Sequence, residues 1–370
     1  MKKVCVVTAA RSEYGLLKCL LEELSHSTLL QLQLVVTGSH LSPEHGLTVH
    51  EIEHDGFQID KKVEMLLSTV TSTGIGVSMG ICMISISEVF MELSPDLLVV
   101  LGDRYELLPI CNVALIMRIP IAHISGGDIT EGAIDDQIRN AVTMMSDLHF
   151  PATSESAERV VRMRGSEKNV FVVGEPGLDN FSHYELMDRK TLADNLNLSI
   201  HTRWILLTLH PETKENLGYN VELANNLIKA LGELSNIQII ITQANADLGG
   251  GEINAFFRDM AKQEPERIRC YASLGQLRYL SFMKEVYCMI GNSSSGIVEA
   301  PFLGTPVINV GKRQLGRHIC HNVINVSGTI DSIRKALDDI AKCDVTPDYF
   351  YGDGMSSRKI LTHIHQYLLL

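Results

Sequence analysis

Val286-Tyr287-Cys288-Met289-Ile290 runs directly into Gly291-Asn292-Ser293-Ser294-Ser295-Gly296, and then into Ile297-Val298-Glu299-Ala300-Pro301. An apolar run, a turn of small residues and a helix-forming stretch read as a buried parallel strand, a tight turn and the first turn of a helix. Such a junction aims free backbone N–H groups and the positive end of a helix dipole at whatever lies above it. The three serine hydroxyls add donors, Gly296 would let a bulky anion approach the backbone, and Glu299 falls one helical turn after Ser295. An anion site followed by a carboxylate that accepts from hydroxyls suits a nucleotide diphosphate, phosphate first and ribose second. An N-capped helix behind a serine-rich loop accounts for the same residues without a ligand. The rest of the chain has to decide between the two.

Outward from that junction, short Val/Ile/Leu-rich runs alternate with longer amphipathic stretches. Strands are expected at Lys3–Thr8, Gln31–Thr37, Leu97–Leu101, Pro120–Ile124, Leu148–Ala152 and Val170–Val173. A second series follows at Trp204–Leu209, Ile237–Thr242, Arg267–Tyr271, Val286–Ile290 and Val307–Val310. Helices are expected between them, among others over Glu13–Leu24, Gly74–Leu93, Ala133–Met145 and Asn220–Leu234. Alternation of this kind means α/β architecture with mostly parallel, doubly wound sheets. The pattern pauses at Gly174-Glu175-Pro176-Gly177-Leu178-Asp179 and restarts near Arg203. This predicts two Rossmann-like domains, 1–178 and 179–354, facing each other across a cleft. In such sheets ligands sit beyond the carboxyl ends of the strands.

The 370 residues suit two domains rather than one core. Apolar content of 45% with 21% charged residues describes a globular protein, and no unbroken apolar run is long enough to span a bilayer. The opening Met1-Lys2-Lys3 with Val4–Ala10 has no small-residue cleavage site, so it reads as a first strand and not a secretion signal. A net charge of −12 argues against nucleic acid as a partner. A small anion is still compatible if arginines and helix ends are focused locally. Cysteines at 5, 19, 82, 111, 270, 288, 320 and 343 contain no CxxC pair and lie mostly in apolar runs. They read as buried free thiols of a cytoplasmic protein, with no metal site and no disulfide frame.

Four further strand ends carry polar groups. Thr8-Ala9-Ala10-Arg11-Ser12-Glu13-Tyr14-Gly15 follows the first strand, and Gly102-Asp103-Arg104-Tyr105-Glu106 follows Leu97–Leu101. Ser125-Gly126-Gly127-Asp128 and Thr130-Glu131-Gly132-Ala133-Ile134-Asp135-Asp136-Gln137-Ile138-Arg139 follow Pro120–Ile124, and His210-Pro211-Glu212-Thr213 follows Trp204–Leu209. Each has a plain structural explanation. Asp103 beside Arg104 could be a local ion pair, Asp135 and Asp136 favour a helix start, and His210 could be a bonded loop histidine. His123, inside an apolar strand, reads as a satisfied core residue. Arg11 at a helix start suits neither the dipole nor burial, which favours a functional role. Jointly, several carboxylates, a histidine and an arginine fall where this fold builds its cleft. Grouped carboxylates drive each other's pKa values apart, so one can act as base and another as acid.

These residues also carry a resemblance. Arg11-Ser12-Glu13-Tyr14-Gly15, Val36-Thr37-Gly38-Ser39-His40, Gly102-Asp103-Arg104-Tyr105-Glu106, the segment from His123 to Arg139, His210-Pro211-Glu212-Thr213 and Gly291-Asn292-Ser293-Ser294-Ser295-Gly296 occur in this order and at similar spacing in one family. The chain resembles, over essentially its whole length, the hydrolysing UDP-N-acetylglucosamine 2-epimerases of nonulosonic (sialic and legionaminic) acid pathways. The resemblance implies a GT-B fold whose C-terminal helix, about 355–370, crosses back to the first domain. It implies a UDP-sugar substrate, no cofactor or metal, no membrane partner, and a homodimer or homotetramer. The implied reaction removes the C2 proton, expels UDP from C1 to give a glucal, and adds water with inversion at C2.

By the same resemblance Asp103, Asp128 and Asp135 match the carboxylates of proton transfer, and His210 the histidine that assists departure of UDP. Arg11, Ser294, Ser295 and Glu299 match binders of diphosphate and ribose, and Arg313 a basic residue near the nucleotide. Arg104, Asn292, Ser293 and Gly296 complete the expected UDP-sugar site. This chain departs from many relatives in having Asp128 for Glu and Ser125 for His or Glu. One methylene less shortens the reach of the carboxylate by about 1.5 Å, so either the sugar sits deeper here or another group such as Glu131 shares the work. The neighbourhood would suit a 4-acetamido-6-deoxy sugar, as in UDP-N,N'-diacetylbacillosamine, as well as UDP-N-acetylglucosamine. A non-hydrolysing 2-epimerase, a GT-B glycosyltransferase and a nucleotide-sugar sensor are the competing readings.

Overall fold

The computed structural model describes residues 1–68, 71–130, 134–212, 215–244 and 249–369, in two compact units. The first comprises Met1–Asp128, Asp135–His183 and Gly352–Leu370, and the second is built on Tyr184–Tyr351. Strands of the first unit are β1 (Lys2–Thr8), β2 (Leu30–Thr37), β3 (Lys61–Val63), β4 (Leu97–Leu101), β5 (Ile121–Ile124) and β6 (Leu148–Phe150). Those of the second are β7 (Arg203–Thr208), β8 (Ile237–Thr242), β9 (Ile268–Tyr271), β10 (Cys288–Gly291), β11 (Val307–Val310) and β12 (Val323–Val326). Among other helices, the first unit holds α1 (Arg11–Ser25), α2 (Ser72–Leu93), α3 (Leu107–Ile116) and α4 (Asp135–Met145). The second holds α5 (Ser294–Leu303), and α6 (Ser356–Leu369) returns to the first.

Both sheets are parallel, in the orders β3-β2-β1-β4-β5-β6 and β12-β11-β10-β7-β8-β9. Each is the doubly wound order, whose direction of winding reverses between its first and fourth strands. The reversal lies between β1 and β4 in one unit and between β7 and β10 in the other. Side chains alternate across the first sheet as its pleat requires. Val4, Val6, Leu97 and Val99 pack with α1 and with Ile360 and Ile364 of α6. Cys5, Val7, Leu98 and Val100 pack on the other face with Cys82, Ile86 and Phe90 of α2. The Gly174–Asp179 stretch, expected as a boundary between domains, is a buried turn inside the first unit. There the two Asp179 carboxylate oxygens accept from Ser356 N at 2.8 Å and Ser357 N at 2.6 Å, capping α6.

Leu97–Leu101, Ile237–Thr242 and Val307–Val310 form strands with the expected ends, and the other central strands differ by a residue or two. Two edge strands, β3 and β12, go undetected, since Lys61-Lys62-Val63 offers no apolar run. Val170–Val173 forms only an isolated bridge, Val170 with His149. A further correction concerns α2. Unbroken apolar runs were too short to span a bilayer, yet α2 has 22 residues and a composition apolar enough to cross one. Serines and glycines interrupt its apolar runs without making the helix polar. In this fold Cys82, Ile86 and Phe90 face the sheet, while Val77, Ile84 and Met91 are exposed. Cys270 and Cys343 are likewise half-exposed rather than buried.

The second reversal depends on one glycine. Gly291 ends β10 at φ +135°, and a Cβ there would collide with the Thr208 carbonyl of β7. Gly291→Ala is therefore expected to cost about 3 kcal/mol or more in denaturant unfolding, from backbone strain and overpacking together. Gly80→Ala, in α2 with open space around it, should instead stabilise by about 0.5–1 kcal/mol.

Candidate active site

At the first reversal, backbone groups freed at the end of β1 are met by a carboxylate. Glu13 Oε2 accepts from Ala9 N at 2.7 Å and Ala10 N at 3.1 Å, which fixes the start of α1 and the Arg11 backbone. Burial lifts the Glu13 pKa to about 7, against the pull of Arg104, and its Oε1 has no hydrogen-bond partner. Arg11 loses solvation, which lowers its pKa. Beside it, at the end of β4, Asp103 pairs with Arg139 of α4. Arg104 forks onto Glu106, with Nη2 at 2.8 Å and Nε at 3.2 Å from its carboxylate.

Arg139 is the group that sequence reasoning did not single out. It is 2% exposed, ion-pairs with Asp103, approaches Asp136 at 3.5 Å and donates to the Asp128 carbonyl at 2.7 Å. One guanidinium therefore gathers the β4 end, the β5 turn and the start of α4. The Asp128 carboxylate is buried and accepts from Ser156 Oγ at 2.6 Å. Asp135 opens α4, half-buried. Glu131 lies outside the described residues. Ser125, at φ +59°, donates to the buried Glu175 carboxylate at 3.1 Å. His123 is a satisfied core residue: Nε2 donates to Gly102 O at 2.8 Å and Nδ1 accepts from Thr143 at 3.1 Å. Burial lowers its pKa to about 4, which keeps it neutral.

At the second reversal, His210 follows β7 and Asn292 follows β10. His210 is buried, its Nδ1 has no hydrogen-bond partner, and burial, aided by the charge of Arg313, lowers its pKa to about 3. Its main chain is gripped on both sides by the Asn292 side chain. Ser293 caps α5, its Oγ accepting from Ser295 N at 3.4 Å. Glu299 is half-buried, and desolvation lifts its carboxyl pKa to about 7 despite a hydrogen bond with Ser295. Sequence reading also missed Tyr279, whose phenol lies near the hydroxyls of Ser295, Thr208 and Ser293 and whose pKa burial raises to about 12. Arg313 is anchored by Nη1 to the Asn292 carbonyl at 3.1 Å. The expectation for Gly296 is corrected. A Cβ there would meet Val307 of β11 at 3.0 Å, so the glycine allows helix–sheet contact rather than approach of an anion.

Each reversal thus offers complementary equipment: carboxylates in one unit, and a helix N-terminus, a neutral imidazole and an arginine in the other. A family model described as UDP-N-acetylglucosamine 2-epimerase matches residues 22–365. The chain belongs to this family. Among curated members it is 39% identical, over 88% of its own length and 84% of the relative's, to the GDP/UDP-N,N'-diacetylbacillosamine 2-epimerase (hydrolyzing) of Campylobacter jejuni. It is 32% identical, over 97% and 94%, to the UDP-N,N'-diacetylbacillosamine 2-epimerase (hydrolyzing) of Legionella pneumophila. Among solved structures, the Neisseria meningitidis UDP-GlcNAc 2-epimerase bound to UDP-GlcNAc superposes with a TM-score of 0.84. That likeness covers 98% of this chain and 100% of the other at 15% identity. It establishes the fold, two Rossmann-like α/β units of the GT-B class. As a member of this family the protein is an enzyme of the 2-epimerase type.

Burial of neutral imidazoles sets a pH dependence. His149 in β6 has neither ring nitrogen hydrogen-bonded, and burial lowers its pKa to about 3. The unfolded chain takes up the proton near the ordinary value while the folded chain resists it. Its contribution is therefore whole above about pH 6.5 and is lost progressively as pH falls toward 3. Glu13 and Glu299, raised to about 7, act in the opposite sense, so a single-site comparison is needed. Calorimetric melts of His149→Leu against the parent should show an advantage for the variant that widens as pH drops from about 7 to about 4. A constant gap would contradict the neutral buried state.

Proposed function

We propose that the protein is a hydrolysing UDP-sugar 2-epimerase. Its substrate on this reading is a UDP-linked 2-acetamido sugar with a 4-acetamido-6-deoxy ring, UDP-N,N'-diacetylbacillosamine. The observation that carries the reading is the pair of chemically opposite strand reversals in one chain. Identity to the Campylobacter and Legionella enzymes favours this sugar over UDP-N-acetylglucosamine. Asp103, Asp128 and Asp135, with Glu131, supply the base and acid of the reaction. One of them takes the C2 proton, the C1–O bond to UDP breaks, and a C1=C2 double bond forms. Water then delivers hydroxyl to C1 and a proton to the opposite face of C2, releasing UDP and the free 2-epimer, a precursor for a nonulosonic acid.

Within the second unit the diphosphate is received by Arg313 and the α5 N-terminus with Ser294 and Ser295, where developing negative charge is stabilised. Glu299 accepts from the ribose. His210, neutral when the site is empty, gains basicity when a diphosphate arrives, because a nearby negative charge favours the imidazolium. It is then suited to donate a proton or hydrogen bond to the departing UDP. A glycosyltransferase would need an acceptor and one base, and would leave the Arg139-gathered acids without a task.

Incubation with UDP-N,N'-diacetylbacillosamine alone in heavy water should give UDP and a free 2-epimerised sugar carrying deuterium at C2, read by NMR. Intact substrate would refute the reading, a product still joined to UDP would indicate the non-hydrolysing reaction, and faster turnover of UDP-N-acetylglucosamine would reassign the sugar. His210→Ala and Asp103→Asn should each lower kcat by about a hundredfold or more, the scale of lost acid–base assistance. Glu299→Ala should chiefly weaken UDP binding, and the reverse pattern would exchange these roles.

A further inference from the structure

Asn292 sits in the motif that reads as a phosphate cradle, yet its side chain is 0% exposed and engaged elsewhere. The sheet pairing of β7 with β10 ends at Thr208 opposite Gly291, followed by Asn292 N donating to Thr208 O at 3.1 Å. Beyond that point the Asn292 carboxamide extends the ladder. Its Oδ1 accepts from His210 N at 2.7 Å, and its Nδ2 donates to His210 O at 2.9 Å. Among short side chains only a carboxamide offers an acceptor and a donor together in this way. Aspartate would set an oxygen against the His210 carbonyl, and alanine would leave two buried main-chain groups unpaired.

The Asn292 main chain is held in turn. Its carbonyl accepts from Gln314 Nε2 at 2.9 Å and Arg313 Nη1 at 3.1 Å. The loop that supplies these donors is pinned by Glu212, 1% exposed, which accepts from Lys312 N at 2.7 Å. Gly311 stands at φ +82°, where a Cβ would strike the Glu212 carboxylate. Glu212 is two residues from His210, so the connections close into a ring: His210 to Glu212 along the chain, Glu212 to Lys312, Gln314 to Asn292, and Asn292 back to His210. The imidazole of His210 projects from this ring with Nδ1 unpartnered. No hydrogen bond to Nδ1 sets its direction, whereas its main chain is held on both sides.

We propose that Asn292 is a positioning residue that orients His210, rather than a ligand of the UDP-sugar. The inference rests on the reading that His210 assists departure of UDP. It is tested with Asn292→Ala, Asn292→Asp, His210→Ala and the double variant Asn292→Ala/His210→Ala, assayed with UDP-N,N'-diacetylbacillosamine. For Asn292→Ala, kcat should fall on the order of a hundredfold, the usual cost of a misplaced catalytic group. KM and UDP affinity should stay within about threefold, and the double variant should be no slower than His210→Ala alone. Multiplying losses, or UDP affinity falling as far as kcat, would overturn the proposal.

Asn292→Asp keeps the volume and serves if the alanine variant does not fold. Its kcat relative to the parent should recover as pH is lowered, because a protonated carboxyl restores the donor to His210 O. A flat ratio would count against the proposal. If the parent protein turns over no UDP-sugar, the functional reading fails while the ring can still be examined. The His210 imidazole resonances, assigned by their loss in His210→Ala, should shift in Asn292→Asp. Unmoved resonances would overturn the ring itself.

Discussion

Everything functional in this molecule depends on what happens where two neighbouring parallel strands send their helices to opposite faces of a sheet. At that place the strand ends are not covered by a crossover, and their backbone groups need partners. The protein meets the demand twice with opposite chemistry. Between β1 and β4 the partners are acidic, Glu13 on the Ala9 and Ala10 amides and Asp103 beside them. Between β7 and β10 they are neutral or hydroxylic, an asparagine on His210 and serines at the start of α5. One structural device thus carries two polarities in the same chain.

The acids would repel one another without a counter-charge, and Arg139 supplies it from a buried position. A buried cation is tolerated only when its partners surround it, and here Asp103, Asp136 and the Asp128 carbonyl do so. The same arginine therefore explains how a compact set of carboxylates persists in a folded chain. It also explains why the acids come from three different chain segments yet behave as one feature.

Much of this was legible in the sequence, for identifiable reasons. Central parallel strands are buried on both faces and appear as continuous apolar runs, so Leu97–Leu101 and Ile237–Thr242 could be bounded to the residue. Edge strands carry charge to discourage pairing with other chains, which concealed Lys61–Val63. The polar strand ends were visible as residue types out of place, but their partners were not. Nothing local indicates that Asp103 pairs with Arg139, 36 residues away, or that Asn292 serves the His210 main chain, 82 residues away. Gly296 shows the converse: its small size was read as room for an anion, and the body that a Cβ there would meet is Val307. Partners across a fold follow from strand order, which single-sequence periodicity does not contain.

The capping of α6 by Asp179 has a consequence for how the polypeptide is made. Ile360 and Ile364 fill the same core as β1 and α1, yet they emerge from the ribosome after the whole of the second unit. Until then the amino-terminal half carries an unfilled apolar surface and two carboxylate oxygens awaiting amides. Its maturation is thereby tied to the synthesis of residues 356–369, and a ribosome stalled before residue 356 would hold a half that chaperones can still engage.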